Sequence, residues 1–543
     1  MSTVKCCEVS QLDICHSFLQ WVSQETGKVQ TRIFDFQMSR HRALFLSLFI
    51  LIILVLLVNF YFAFVMNSNN NNKLTSQPES PKALFASNKI FSSTSKTLIL
   101  LDSPARDNDN DLRNVRNASL EFSMKIEKYL QKISFKYSKP SPLLHSEINK
   151  LWTYLQPSVG VSTQLLSVAK EWVGARNIVP AQVPLLGSVL KTISVAKIIK
   201  AQNAPGGTQL KLLITFEGGQ QALFKPQWYK RDEIIEGPVY SGKDRHNAEV
   251  AAFYLALLLG LRRVPITAAR KINLQTEIMP VASKTLLKTF IVDGKNNTCF
   301  YGTCHYCSPS DAVCGSKVWI EGAVILMLPN NVKLKHFRSP WQRTYKENKA
   351  AKWEIDSNFC ETVKSNKIYN LQNGPRLLDL IDAAVFDFLI DNGDRHHYEV
   401  PGNVSGAAVL FIDNGKSFGH PFQDHWDILA PLYQCCVYVC PSGHSDYYRE
   451  HDTKMYITDI FFLAFCLFYL RLRKYTWERL LLFSGGTLGA ALEKLLSTSF
   501  ISPVLTSFHL NALNRRLRVI YATAEFCFQN FGIDAVLIDD GYR

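Results

Sequence analysis

No long run of Lys and Arg occurs in these 543 residues, although 60 Lys and Arg against 46 Asp and Glu leave a formal net charge of +14. Dispersed basic residues make no phosphate-tracking stripe, so nucleic-acid binding is set aside. The basic bias suits a protein that handles nucleotide phosphates or anionic polymers. No internal repeat is present, which excludes repeat architectures. A second Cys-x-x-Cys pair is also missing: only Cys304 and Cys307 have that separation. This weakens a zinc reading of the cluster from Cys299 to Cys314, which encloses His305, and leaves disulfides as the alternative. An apolar fraction of 47% is ample for a sizeable core.

Residues 43–66 are almost wholly apolar, with Asn59 the main exception. At about 1.5 Å per residue they extend roughly 36 Å, enough to cross a hydrocarbon layer of about 30 Å. Arg40 and Arg42 lie directly before them, and the uncharged residues 67–72 follow. The positive-inside bias predicts a single-pass type II signal anchor with a cytosolic tail, 1–42, and a lumenal body. Cys6, Cys7 and Cys15 precede this span; ten cysteines follow it. An even number in a lumenal body predicts disulfides. Sequons at Asn117, Asn296 and Asn403 suit glycosylation in the same compartment.

Residues 67–145 are rich in Asn, Ser, Pro and Lys and read as a stem, with the catalytic domain at 146–543. Helices are predicted at 147–155, 163–172, 247–260 and 377–390, the last with Asp379, Asp382 and Asp387 on its more polar side. A β-hairpin is predicted over 210–224, and a buried strand over 323–328. Strands come early and helices dominate late. That order predicts an α+β, two-lobed fold with a sheet-containing N-lobe and a mainly helical C-lobe. Residues 437–470 fit poorly and read as an anomalous insertion; their apolar stretch, 460–470, is too short to span a membrane.

Two acidic motifs stand nineteen residues apart: Asp394-Arg395-His396-His397-Tyr398-Glu399 and Phe411-Ile412-Asp413-Asn414-Gly415. Each follows an apolar stretch. A phosphoryl-transfer site needs one carboxylate to take the acceptor's proton and another to hold the metal that neutralises the phosphates. Standing alone, Asp413-Asn414-Gly415 would read as a turn. Lys225, at the end of a predicted strand, can reach nucleotide phosphates and pair with a carboxylate. Asp244 and Glu249, around the start of the next helix, are its candidate partners, although five residues of helix would turn Glu249 elsewhere. Helix capping is the plainer reading of Asp244. His396 and His397, being adjacent, fit structural hydrogen bonds better than a shared metal. No Gly-x-Gly-x-x-Gly loop covers the phosphates, and the His-Arg-Asp order of ordinary protein kinases is absent. Asp107-Asn108-Asp109 matches the Asp-x-Asp of glycosyltransferases, but no strand precedes it.

With these motifs the chain resembles the atypical kinases of the secretory pathway, which include a glycosaminoglycan xylosylkinase and the Golgi casein kinase. The resemblance rests on Gly207-Thr208-Gln209-Leu210-Lys211-Leu212, Ala222-Leu223-Phe224-Lys225-Pro226, Asp244-Arg245-His246-Asn247-Ala248-Glu249, Cys299-Phe300-Tyr301-Gly302, the Asp394 motif and Leu429-Ala430-Pro431-Leu432-Tyr433-Gln434-Cys435-Cys436. It implies ATP as phosphoryl donor and manganese, with magnesium as substitute. Asp394 would be the catalytic base, and Asp413 and Asp244 the metal ligands. Gln209, Lys225, Glu399 and Asp413 would contact the nucleotide, and Ile325, Leu326, Met327 and Leu328 would lie along adenine. It also implies disulfides Cys299 to Cys314, Cys304 to Cys307, Cys360 to Cys435 and Cys436 to Cys527. Cys440 and Cys466 remain over, both in the insertion.

Asp244 in place of Glu, Ala430-Pro431-Leu432-Tyr433, and Lys416-Ser417-Phe418-Gly419 resemble the xylosylkinase branch more than the casein kinase. The implied reaction is phosphorylation of the 2-hydroxyl of xylose in the proteoglycan linkage region, at the Golgi membrane. The implied partners are that glycan and a second family member in a homo- or heterodimer. A Ser-x-Glu protein kinase and a non-catalytic activator are the rival readings.

Overall fold

The computed structural model describes residues 109–346, 349–370, 374–402, 404–436 and 472–542. Among them no helix is long and apolar enough to cross a membrane. The predicted anchor at 43–66, Asn403, Asp107 and the 437–470 segment with Cys440 and Cys466 lie outside the described residues.

Helix α1, Asp109–Lys132, opens the described chain, followed by α2, Leu144–Leu155. After two short helices, Gln164–Glu171 and Leu186–Val195, comes a five-stranded antiparallel sheet built from β1 (Ile198–Asn203), β2 (Leu212–Phe216), β3 (Gln221–Pro226), β4 (Thr267–Asn273) and β5 (Trp319–Leu326) in the order β1-β2-β3-β5-β4. The β2–β3 hairpin closes over Gly218 and Gly219, both at positive φ. Between β3 and β4 runs α3, His246–Leu258, buried at every position. Its sequence is apolar on all sides, so it has no face to give to water. Gly260 ends it in the left-handed conformation (φ 69°), where a Cβ would meet the Tyr475 hydroxyl at 2.4 Å.

The second lobe is mainly helical. A two-stranded ribbon joins β6 (Leu334–Arg338) to β7 (His397–Pro401). The lobe's helices α4 (Arg376–Ile390), α5 (Ala430–Cys436) and α6 (Ser507–Phe531) pack on one another. The α4 aspartates lie buried rather than on a solvated face. Asp379 pairs with Arg263, Arg473 and Arg176 (3.1, 2.9 and 2.8 Å), Asp382 with Arg263 (2.5 Å) and Arg473, and Asp387 with Arg395 (2.5 Å). Periodicity marked the polar side correctly, but arginines from distant segments cover it. Such pairs give geometry more than net stability, because desolvation offsets the attraction.

Residues 121–145, read as stem from their composition, are packed against this lobe. Phe122 contacts the rings of Tyr433 (4.2 Å) and Trp426 (6.5 Å), Tyr129 that of Phe526, and Tyr137 stacks on Tyr521 at 4.4 Å. Phe122, Ile126 and Ile133 are buried. Full burial of such side chains contributes roughly 1.5–3 kcal/mol each. The apolar positions of α1 are interleaved with charged and with Asn, Ser and Gln residues, which hid it within a polar stretch.

Among the described residues four disulfides are formed: Cys299–Cys314, Cys304–Cys307, Cys360–Cys435 and Cys436–Cys527. The first two engage all four cysteines of the zinc alternative. The last two clamp both ends of chain separations of 75 and 91 residues onto α5. Asn296 is exposed at a hairpin turn, while Asn117 falls within α1.

Candidate active site

Lys225, next to last in β3, is only 5% exposed. A buried ammonium needs compensating charge, and three carboxylates supply it. Its Nζ donates to Glu249 Oε1 at 2.6 Å, Asp413 Oδ1 at 2.7 Å and Asp244 Oδ2 at 3.0 Å. Burial alone would lower the Lys225 pKa, yet Asp244, Asp413 and Glu249 together hold it well above its ordinary value. Burial raises Glu249 despite Lys225 beside it. Asp413, pulled mainly by Lys225, stays below the usual carboxylate range.

Glu249 is the residue that helical counting sent away. The count assumed that Asp244 and Glu249 share a helix. In fact α3 begins at His246, so Asp244 lies on the preceding loop and both acids reach Lys225. A helix carboxylate facing a strand-end lysine was the available signal.

Asp413 takes φ 61°, a left-handed conformation rare for a residue with a side chain. Its carboxylate is 78% exposed while Asp244 and Glu249 are buried. Oxygens of the three lie within 4.8 Å of one another. Against three negative charges stands one lysine, and the donors are all hard oxygens. That set fits a magnesium- or manganese-type cation. Gly415 allows the approach: a Cβ there would meet Asp244 Cγ at 2.6 Å.

Asp394 lies on the turn after α4, where Asp391 caps the helix in the left-handed conformation. The Asp394 amide donates to Asn392 Oδ1 (3.2 Å), and its carboxylate accepts from the Tyr345 hydroxyl at 2.5 Å. Arg395 fixes the turn. It grips Asp387 with two nitrogens (2.5 and 2.7 Å) and donates to Ile412 O (2.7 Å) and Asn414 Oδ1 (2.8 Å). Through Arg395 the Asp394 turn is tied to the segment 412–414 that carries Asp413; burial lowers the Lys416 pKa, and the charges of Asp244, Asp394 and Asp413 oppose that. His396 makes a local hydrogen bond to the Asp394 carbonyl (2.7 Å), and His397 stacks on His336 (4.2 Å).

The other sequence-derived positions lie on the following elements. Gln209 lies in the β1–β2 loop two residues before Lys211, whose charge also lowers Asp413. Ile325 and Leu326 end β5, and Met327 and Leu328 carry the chain out of the sheet. Glu399 stands on β7 facing His336 across the ribbon (2.8 Å), while the described carboxylate cluster is Asp244, Glu249 and Asp413.

Residues 164–442 and 458–536 match the family described as "Golgi casein kinase, C-terminal, Fam20". The chain belongs to the Fam20 family. The match breaks inside the stretch read as an insertion. This Fam20 chain is 44% identical to the glycosaminoglycan xylosylkinase of Homo sapiens over 374 residues, 69% of this chain and 82% of that one. Among solved structures it resembles a hydra Fam20 described with sugar (TM-score 0.60, 42% identity, 69% of this chain and 98% of that one). It also resembles the Golgi casein kinase with Mn/ADP bound (TM-score 0.60, 29% identity, 74% and 93%).

Proposed function

We propose that this Fam20 chain is a type II Golgi kinase whose lumenal domain transfers the γ-phosphate of ATP to the 2-hydroxyl of xylose in the proteoglycan linkage region. The observation that carries the kinase reading is Lys225, held by three carboxylates, among them Asp413, whose loop Arg395 ties to the turn that bears Asp394. Identities of 44% to the xylosylkinase and 42% to the hydra protein described with sugar, against 29% to the Golgi casein kinase, support the sugar acceptor. Four disulfides suit an oxidising lumen.

In this reading Asp394 takes the proton of the acceptor hydroxyl as it attacks the γ-phosphorus in line. Lys225 draws the triphosphate in, exchanging part of its carboxylate contacts for phosphate oxygens. Lys211 and Gln209 approach the nucleotide from the β1–β2 loop, and Ile325 to Leu328 border the adenine. Asp413 and Asp244, with Glu249 adjacent, would hold manganese, which supplies neutralisation of phosphate charge. Arg395 holds the Asp394 turn against the Asp413 loop, so base and phosphate keep their spacing without rearrangement.

The test is transfer from labelled ATP by the purified full-length chain to a xylose-containing linkage glycan and to casein. Labelled glycan is the expected result. Label on casein alone would favour the rival reading, a Ser-x-Glu protein kinase, which the family's casein kinase members support. In the Asp413→Ala variant, transfer is expected to vanish while the fold persists.

A further inference from the structure

We infer that Tyr345 is a placeholder for the acceptor, set on the base so that phosphate is not passed to water. This rests on the reading of Asp394 as base. A general base must stand about 2.6–3.2 Å from the hydroxyl it deprotonates. The Tyr345 hydroxyl fills that place, 2.5 Å from Asp394 Oδ1 and 3.1 Å from His396 Nδ1.

Tyr345 is not a core residue. It is 41% exposed, and its ring meets only the edges of Tyr240 (4.7 Å) and His396 (5.5 Å) among described aromatic contacts. Its backbone takes φ 55°, a left-handed conformation that a bulky side chain disfavours. Two residues upstream the chain is fastened, with Arg343 paired to Asp427 at 2.6 Å and lying over the Trp353 ring at 5.7 Å. The segment is therefore anchored at Arg343 and strained at Tyr345, and the Asp394 contact holds it there. An arriving hydroxyl can replace that contact, letting Tyr345 relax and leave. Burial and then Asp394 raise the phenol's pKa, which favours the protonated form that donates to Asp394.

The reaction it suppresses is hydrolysis. A water oxygen would bond to the γ-phosphorus, the bond from phosphorus to the ADP oxygen would break, and the water proton would pass to Asp394. With the phenol in place, Asp394 Oδ1 already accepts a hydrogen bond, and a water must displace it to be deprotonated there. Tyr345 is thus a positioning residue that selects acceptor over water.

The experiment compares full-length wild type, Tyr345→Phe and Asp394→Asn, measuring ATP hydrolysis without acceptor and transfer to the xylose glycan. Tyr345→Phe is expected to raise the hydrolysis-to-transfer ratio about tenfold and to lower the acceptor KM, since no phenol must be displaced. An unchanged or lowered ratio overturns the placeholder, even if kcat falls. Asp394→Asn is expected to lose both reactions; retained transfer there would refute the base assignment itself, separately from Tyr345.

Discussion

Arg395 donates to the side chain of Asn414 at 2.8 Å and, through a second nitrogen, to the carbonyl of Ile412 at 2.7 Å. One guanidinium, rooted on Asp387, thereby joins the turn that carries Asp394 to the loop that carries Asp413. Arg395→Lys keeps the charge but loses the planar fork. Transfer is expected to fall about 100-fold, since small misplacements of reacting groups cost that much. Steady-state kinetics at saturating ATP checks this, and an activity within twofold of wild type would deny the coupling.

Gly415 leaves room for Asp244. In Gly415→Ala the new methyl would displace the Asp244 carboxylate from Lys225 and Asp413. The manganese concentration for half-maximal transfer is expected to rise about tenfold, a loss of roughly 1.4 kcal/mol. Titrating activity with manganese measures it, and partial rescue at high metal is part of the expectation.

His425 sets a pH dependence. Burial lowers its pKa, but the hydrogen bond to Asp391 at 3.1 Å and the nearby Asp427 more than reverse this, against a smaller opposing effect of Arg343. Its folded pKa lies above the ordinary 6.5. Its stabilising contribution is therefore complete below pH 6.5 and is lost as pH rises through the folded value. The wild-type unfolding midpoint is expected to fall more steeply above pH 6.5 than that of His425→Gln. Scanning calorimetry across pH 5.5 to 8.5 compares them, and parallel curves would remove His425 from the account.

The packing of α1 bears on where the domain starts. A secreted fragment of residues 103–543 is expected to fold, whereas one of residues 146–543 exposes the rings of Tyr433, Phe526 and Tyr521 and should aggregate. Size-exclusion chromatography of the two fragments decides, and a soluble monomer from the shorter one would return residues 109–145 to the role of stem.

Much of the fold was legible because local chemistry repeated what tertiary packing required. Leu212–Phe216 and Gln221–Pro226 flank a glycine turn, and α3 is too apolar to sit anywhere but inside. The Asp394 and Asp413 motifs were visible as short polar strings after apolar stretches. Glu249 was not, because its role depends on where α3 begins, and helix starts are blurred in sequence when no Ser, Thr, Asp or Asn side chain caps them. Tyr345 carried no signal: nothing near it in the chain announces a partner 49 residues away.

By itself the sequence determined the lobes, the cysteines available for pairing, and the acids and lysine able to act on a triphosphate, since these follow from periodicity and residue type. Only the tertiary structure decided that Asp244, Glu249 and Asp413, separated from Lys225 by 19, 24 and 188 positions, close on a single ammonium. Charge in a buried place must be balanced by whatever the fold delivers there, and spacing along a chain does not encode that meeting.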